Sequence, residues 1–437
     1  MNLFESFVPS SEGEWKEKII ADLKGATIES LNWESELGSI DPILFDYSNK
    51  YPRVKSKTNQ ADNSWIIAKT TSCSNAIKAN AKILKDLGEG ADGLRLKNVN
   101  SSELQVILKE VMIDIIHITF EEDTSEEIQS VQAAFEKLAA ERSIELTSCN
   151  VSFTCDSIFS HIVGQTSEMK VHNGAVVVKG CLFANAGGSI QNQMGLTIAQ
   201  GHEYLISQMK SGISFENAVN NISFRLAVGN SYFTEIAKLR AFRTLWFNVI
   251  SEYGNADELY TSITVETTEF YQSNLDVHNN LLRGTTCAMS AIIGGADLLE
   301  VQPYDSHLSN GQNDGDRLAT NTQLILKEES FFNQVKNASD GSYYIEQLTD
   351  IIIEKSWTIF QEIEEKGGFI KFFQSGEMVP RLNSDLKEKI KQFENEELVI
   401  LGTNKYPNSM EPNSENYRDY VFGDSVIRPY RLALKSF

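Results

Sequence analysis

The chain is poor in several features that mark familiar protein classes. It carries five cysteines in 437 residues, Cys73, Cys149, Cys155, Cys181 and Cys287. They are odd in number and scattered, and no two form a CxxC pair. Neither a disulfide framework nor a metal site is indicated, and buried thiols in a reducing compartment are expected. Positive charge is also scarce: 39 Lys and Arg against 60 Asp and Glu leave a net charge of −21. Such a surface is repelled by phosphate backbones and anionic lipid, which argues against nucleic-acid or membrane partners. No apolar run approaches the ~20 residues of a membrane helix. The opening Met1-Asn2-Leu3-Phe4-Glu5 has no basic region leading into an apolar stretch, so no secretory signal is visible. The cytoplasm is the expected location. There is no internal repeat and no low-complexity tract.

Chemical motifs are equally thin. Walker loops and Gly-x-Ser-x-Gly elbows are missing. The six histidines, His117, His161, His172, His202, His278 and His307, make no HxxxH or HExxH pair, so they read as core or surface residues and not as metal ligands. The carboxylate runs Glu121-Glu122-Asp123 and Glu362 to Glu365 are expected to be solvated helix faces or first-turn charges. Gly88-Glu89-Gly90-Ala91-Asp92-Gly93 matches GxGxxG, but it follows a helical pattern and precedes a strand. A dinucleotide site needs the opposite order, so the glycines predict a helix stop and an αβ turn. Gly294-Gly295 has the same context.

What is present is a regular alternation. With 41% hydrophobic and 23% charged residues the composition is that of an ordinary globular protein. Strand candidates are Trp65–Lys69, Gly93–Leu96, Ile113–Phe120, Val151–Thr154, Ala175–Cys181, Ile222–Val228, Thr261–Thr267 and Leu298–Val301. Eight strands close a (β/α)8 barrel, and runs such as Ala175-Val176-Val177-Val178 suit parallel strands covered on both faces. Helical patterns fill the gaps. Ala76–Leu87 places Ile77, Ala81 and Leu84 on one side; Tyr232–Val249 and Tyr343–Lys366 follow, the last stopping at Gly367-Gly368. The expected fold is an α/β TIM barrel over residues 61–403. An N-terminal arm (1–60) would hold a helix, Glu12–Leu23, and an extended segment, and an extended tail (404–437) would follow the barrel. On the residues alone no catalytic set can be named.

Several stretches, in matching order, resemble the substrate-barrel region of the methylmalonyl-CoA mutase family. They include Trp15-Lys16-Glu17-Lys18, Asp22-Leu23-Lys24-Gly25 and Leu31-Asn32-Trp33 near the start, then Asn185-Ala186-Gly187 and Gly201-His202-Glu203-Tyr204-Leu205. The most specific is Asn230 to Trp246, NSYFTEIAKLRAFRTLW, which is similar to the family pattern Phe-x-Glu-Ile-Ala-Lys-x-Arg-Ala-x-Arg-x-Leu-Trp. Asn280 to Thr286, Gly294-Gly295-Ala296-Asp297, Arg317 to Gln323, Asp340 to Tyr344 and Asn404-Lys405-Tyr406 continue the likeness. The resemblance implies radical interconversion of methylmalonyl-CoA and succinyl-CoA, with adenosylcobalamin supplying the radical and protein supplying orientation and shielding.

Two departures qualify it. The family's cobalt-ligating motif is Asp-x-His-x-x-Gly; the nearest stretch here, Asp276-Val277-His278-Asn279-Asn280-Leu281, lacks the glycine and lies within the barrel region. About 30 residues follow Pro407, too few for a Rossmann-like cobalamin module. Within the barrel, Cys181-Leu182-Phe183-Ala184 occupies the place of the family's catalytic Tyr-His-Met-Gln, so Leu182 stands where the histidine would be. Leucine can neither donate nor accept a hydrogen bond. Gly294 to Gln302 also differs from the family's Gly-Gly-Thr-Gln-Ser-Leu-His-Thr-Asn, and no Gln-Tyr-Ala-Gly-Phe segment occurs. The resemblance therefore implies the small, non-catalytic subunit of a heterodimeric mutase. No catalytic, cofactor-binding or metal residue is expected in this chain, and the coenzyme would be held by a large catalytic partner. The arm and tail would wrap that partner over an interface larger than the ordinary ~1,600 Å2. Two alternatives are the catalytic barrel half of a split acyl-CoA mutase, and an acyl-CoA-binding regulatory protein in which Arg225 and Arg283 could meet phosphates.

Overall fold

The computed structural model describes residues 10–41, 43–54, 62–165, 171–306, 314–408 and 426–434; His307 and the opening pentapeptide lie outside them. Two short antiparallel strands, β1 (Trp33–Ser35) and β2 (Gly38–Ile40), form a hairpin ahead of the main sheet. Eight parallel strands follow: β3 (Ile66–Ser72), β4 (Gly93–Lys97), β5 (His117–Glu122), β6 (Val151–Cys155), β7 (Val176–Val178), β8 (Ile222–Val228), β9 (Ile263–Thr267) and β10 (Leu298–Glu300). Their order in the sheet is β6-β5-β4-β3-β10-β9-β8-β7. First and last strands therefore meet through β3 and β10, where Leu298 pairs with Ile66. At the seam between β6 and β7, Cys155 N donates to Ala175 O at 3.2 Å. Strands alternate with helices throughout, and the result is a nearly closed (β/α)8 barrel.

Both strand faces are covered, which is why these segments read so clearly. On β4, Leu94 and Leu96 are 1% and 0% exposed and pack outward into the helix layer, where Ile83, Phe120 and Phe135 join them. A larger apolar layer on the other side gathers Phe224, Phe242, Trp246 and Ile352. The long helix Tyr343–Glu365 packs against both Ile190–Lys210 and Tyr232–Ser251. It ends where Gly367 and Gly368 take φ of +94° and +98°, a left-handed stop open to glycine at little cost.

Four expectations need correction. Helix Ala76–Gly88 turns Ala76, Ala79, Ile83 and Asp86 inward, while Ile77 is 76% exposed. Asn75 caps the helix through Lys78 N, and the packing of Ala76, Ala79 and Ile83 into the core leaves Ile77 outside. Residues 113–116 are not strand: Ile115 N and Ile116 N both turn back to Met112 O, and β5 begins at His117. The run Ala175–Cys181 leaves the sheet after Val178, and Cys181–Asn185 forms a short helix. Cys149, finally, is only partly buried, unlike the other four thiols. Burial pushes the thiols of Cys73, Cys155 and Cys287 up to about 12.

The flanking segments lie on the barrel. Asp350, fully buried, receives Tyr47 Oη at 2.7 Å, Lys50 N at 2.9 Å and the Arg53 guanidinium at 2.7 Å. Arg53 also pairs with Glu346 at 2.8 Å. At the other end, Ile427 N donates to Ile162 O, Tyr430 N to Asn185 O and Leu432 N to Phe270 O. These acceptors follow β6, β7 and β9, so residues 426–434 strap the mouth of their own barrel. That part of the expected partner-wrapping tail is committed to this chain; residues 409–425 lie outside the described set.

Candidate functional site at the barrel mouth

Barrel enzymes place their chemistry at the C-terminal ends of the strands. Side chains alternate along a strand, and the register fixes which ones face the axis. Thr70, Arg95 and Thr119 pair in one row, and Ala227, Glu266 and Glu300 in another. The axis is consequently lined by Thr70, Arg95, Lys97, Thr119 and Glu121 on one side and Lys179, Arg225, Glu266 and Glu300 on the other. Bulky aliphatic layers usually fill such barrels; here the filling is charged.

Glu121, 4% exposed, is the hub. Its Oε2 lies 2.8 Å from Arg225 Nη1 and 3.7 Å from Arg95 Nη1, and its Oε1 lies 2.9 Å from Lys179 Nζ and 3.2 Å from Lys97 Nζ. Arg95 reaches across the axis to Glu300 at 2.6 Å and Glu266 at 4.0 Å. Burial alone would raise the Glu121 carboxyl, but Arg225, Lys179, Lys97 and Arg95 outweigh it and hold it well below the usual range. Glu300 is lowered in the same way, burial being overcome chiefly by Arg95. For Glu266 burial prevails and its carboxyl is raised. Burial lowers the Lys97 ammonium. With four cations around three carboxylates, the mouth is crossed by ion pairs.

Leu182 sits beside this network on the short helix after β7, 4% exposed and within the apolar core. The adjoining Cys181 thiol is pushed up by burial. Of the Gly294–Gln302 stretch, Glu300 enters the network, and Gln302 N is tied to Thr267 Oγ1 at 2.9 Å. Arg225 is wholly internal, 2% exposed. Arg283 holds Asn280 Oδ1 at 2.7 Å and the Leu401 carbonyl. Neither arginine is presented as a free phosphate ligand.

The histidines are dispersed. His117 is near Thr119, His172 bonds Ser125 at 2.8 Å, and burial lowers both imidazoles. His202 bonds Tyr253 at 2.6 Å and lies 3.0 Å from Glu364. His278 stacks on Tyr304 at 5.3 Å. Among the described residues no three metal-binding side chains converge, and no helix is long and apolar enough to cross a membrane. The expectation for Glu121-Glu122-Asp123 fails at its first two members: both glutamates end a strand and are buried. Sequence reasoning missed Arg95, Lys97, Lys179 and Glu266 as well. Part of the signal was present as charges inside otherwise uncharged strands, Arg95 with Lys97 two apart on β4 and Glu266 alone on β9.

The sequence profile described as methylmalonyl-CoA mutase matches residues 149–421. The chain belongs to the methylmalonyl-CoA mutase family. It is 30% identical to the methylmalonyl-CoA mutase small subunit of Porphyromonas gingivalis, over 94% of this chain and 72% of that protein. The probable small subunit of Mycobacterium tuberculosis H37Rv is 34% identical over 54% of this chain and 39% of its own length. The large subunit from P. gingivalis is 30% identical over 57% of this chain and 35% of its own. By homology, then, the chain is a small-subunit member of the family. The most family-like helix, Tyr232–Ser251, explains its own pattern physically. Lys238 Nζ donates to Ala227 O at 2.7 Å; Arg243 holds Gly295 O at 2.7 Å and Asp297 at 3.0 Å; Trp246 Nε1 donates to Thr261 Oγ1 at 3.0 Å. These side chains bolt the helix to β8, β9 and the loop before β10. They carry fold.

Proposed function

We propose that this chain is the non-catalytic small subunit of a heterodimeric, adenosylcobalamin-dependent methylmalonyl-CoA mutase, acting in the cytoplasm. One observation carries the reading: at the barrel mouth, where an imidazole would have to handle a thioester, Leu182 is sealed in apolar core beside an axis occupied by the Glu121 ion pairs. A leucine cannot polarise a carbonyl, and an acyl-CoA entering here would have to displace buried, ion-paired charges. That favours the partner role over acyl-CoA binding and over a split catalytic half.

Among the described residues no ligand set fits the coenzyme. His278, in the stretch closest to the cobalt-binding motif, stacks its ring on Tyr304 at the start of a barrel helix, and the glycine of the motif is missing. The large subunit would bind cobalamin, whose cobalt–carbon bond supplies the radical chemistry. The contribution of this chain is mass action: binding only the folded large subunit stabilises it by RT ln(1 + [L]/Kd). Mixing the purified chain with a large mutase subunit and measuring mass in solution tests this. A one-to-one complex that survives about 0.5 M salt is expected; no complex, or a salt-labile one, would remove the proposal.

A further inference from the structure

A cavity of about 630 Å3 opens in the barrel wall at the seam between β6 and β7, the strands at the two ends of the sheet order. Cys155 N still reaches Ala175 O at the C-terminal end of β6. Toward the start of β6 the chain segments part, and the cavity lies between residues 151–153, residues 171–175 and the first turns of helix Ser125–Glu141. Two of its lining side chains are bonded to each other: Ser125 Oγ lies 2.8 Å from His172 Nδ1. Both residues are half-buried, so the pair is shielded without being closed off. It joins segments 47 residues apart, and each partner is held in place. His172 N donates to Ser157 Oγ at 3.0 Å, which anchors the backbone. A Cβ at residue 174 would run into His172 Nε2, so Gly174 makes the room in which the ring lies. Thr124 and Glu127 cap the helix in a reciprocal box, which sets Ser125 as its first residue.

A serine hydroxyl is a poor nucleophile until a neighbouring base can take its proton. With the ring proton on Nε2, Nδ1 is the acceptor and the hydroxyl donates to it. Burial lowers the imidazole, so the ring is neutral near pH 7 and can accept that proton. The capping box satisfies Thr124 N and Glu127 N, leaving the first two N–H groups of the helix, those of Ser125 and Glu126, without an intrahelical partner. Donors of this kind stabilise an oxyanion. We propose that Ser125 and His172 form a nucleophile–base pair, and that the cavity accepts small, uncharged acyl esters and transfers their acyl group to water. Ser125 Oγ bonds to the carbonyl carbon as His172 Nδ1 takes the hydroxyl proton, and the carbonyl electron pair moves to oxygen. Collapse breaks the bond to the alcohol, which departs with that proton. Water, deprotonated by the same imidazole, then releases the acid and restores the serine. Phosphate-bearing acyl donors are disfavoured, because Asp123, Glu126 and Glu127 flank the hydroxyl in the chain. The proposal does not rest on the mutase reading.

An alkyl fluorophosphonate and 4-nitrophenyl acetate, applied separately to the full chain, test this. Intact mass and peptide mapping should find a phosphonyl adduct on Ser125, and nitrophenol release should exceed the uncatalysed rate. Ser125→Ala should remove both. His172→Gln should slow labelling about hundredfold. Gly174→Ala, which crowds the ring but keeps both reacting groups, should slow it about tenfold or more. No adduct on Ser125, ester hydrolysis no faster than in Ser125→Ala, or labelling as fast in His172→Gln and Gly174→Ala as in the wild type overturns the proposal.

Discussion

Replacing Glu121 by glutamine is the most informative single change to this barrel. The side chain keeps its shape but loses the charge around which Arg225, Lys179, Lys97 and Arg95 converge at 2.8, 2.9, 3.2 and 3.7 Å. Both carboxylate oxygens are acceptors, one facing the lysines and the other the arginines. Either orientation of the amide therefore turns an N–H donor toward cations. Removing one partner from a buried ion pair typically costs about 3–5 kcal/mol, and Glu121 is 4% exposed, so solvent offers little relief. Urea unfolding should show a loss of that size with an unchanged m-value. The sign with pH follows from the depressed carboxyl. Its contribution is complete above the ordinary value of 4.5 and disappears as pH falls through the lower folded value. The gap between wild type and variant should therefore narrow in acid. Adding Arg225→Met to Glu121→Gln should recover part of the loss, because it removes a stranded cation. A loss below about 1 kcal/mol, the scale of a surface pair, would refute the view that the axis is held by these charges.

Three further outcomes follow from other parts of the molecule. Burial pushes the Glu122 carboxyl up to about 7, so its folded form favours the proton and the wild type loses stability as pH rises toward and through 7. Glu122→Gln keeps an acceptor for Val99 N, 2.7 Å away, and should gain up to roughly 3 kcal/mol at pH 8 and little at pH 4, by thermal unfolding. Arg53→Ala strands Asp350 and Glu346 and should cost about 2–4 kcal/mol, with faster proteolysis around residues 47–54 as a local readout. Leu182→His should produce no turnover with coenzyme and methylmalonyl-CoA, because the ion pairs still cross the mouth; it should cost about 2 kcal/mol for placing imidazole in the core.

The barrel was legible because its strands are buried on both faces. Ile222–Val228 is recovered without error, and the other seven come within a few residues. What misled was position-specific. Ile77 belongs to a periodic apolar pattern, but the core packs Ala76, Ala79 and Ile83 instead, and an exposed isoleucine looks no different from a buried one in sequence. Glu121 and Glu122 looked like a solvated run because a pair of adjacent acids normally is one. In a strand the two point to opposite faces, here to the axis and to the helix layer. The Leu182 position was visible through the resemblance, whereas the ion pairs beside it needed the register. The docking of Tyr430 and Leu432 over the mouth depends on contacts across more than 150 residues, from Phe270 to Leu432, which no local pattern encodes.

On the proposed reading this barrel supports a mutase without performing its chemistry. The direct measurement is isomerisation of methylmalonyl-CoA by the purified chain with adenosylcobalamin, run with and without a large mutase subunit. No product is expected from the chain alone, and turnover should appear when the larger chain is added. Succinyl-CoA formed by this chain on its own would overturn the partner role.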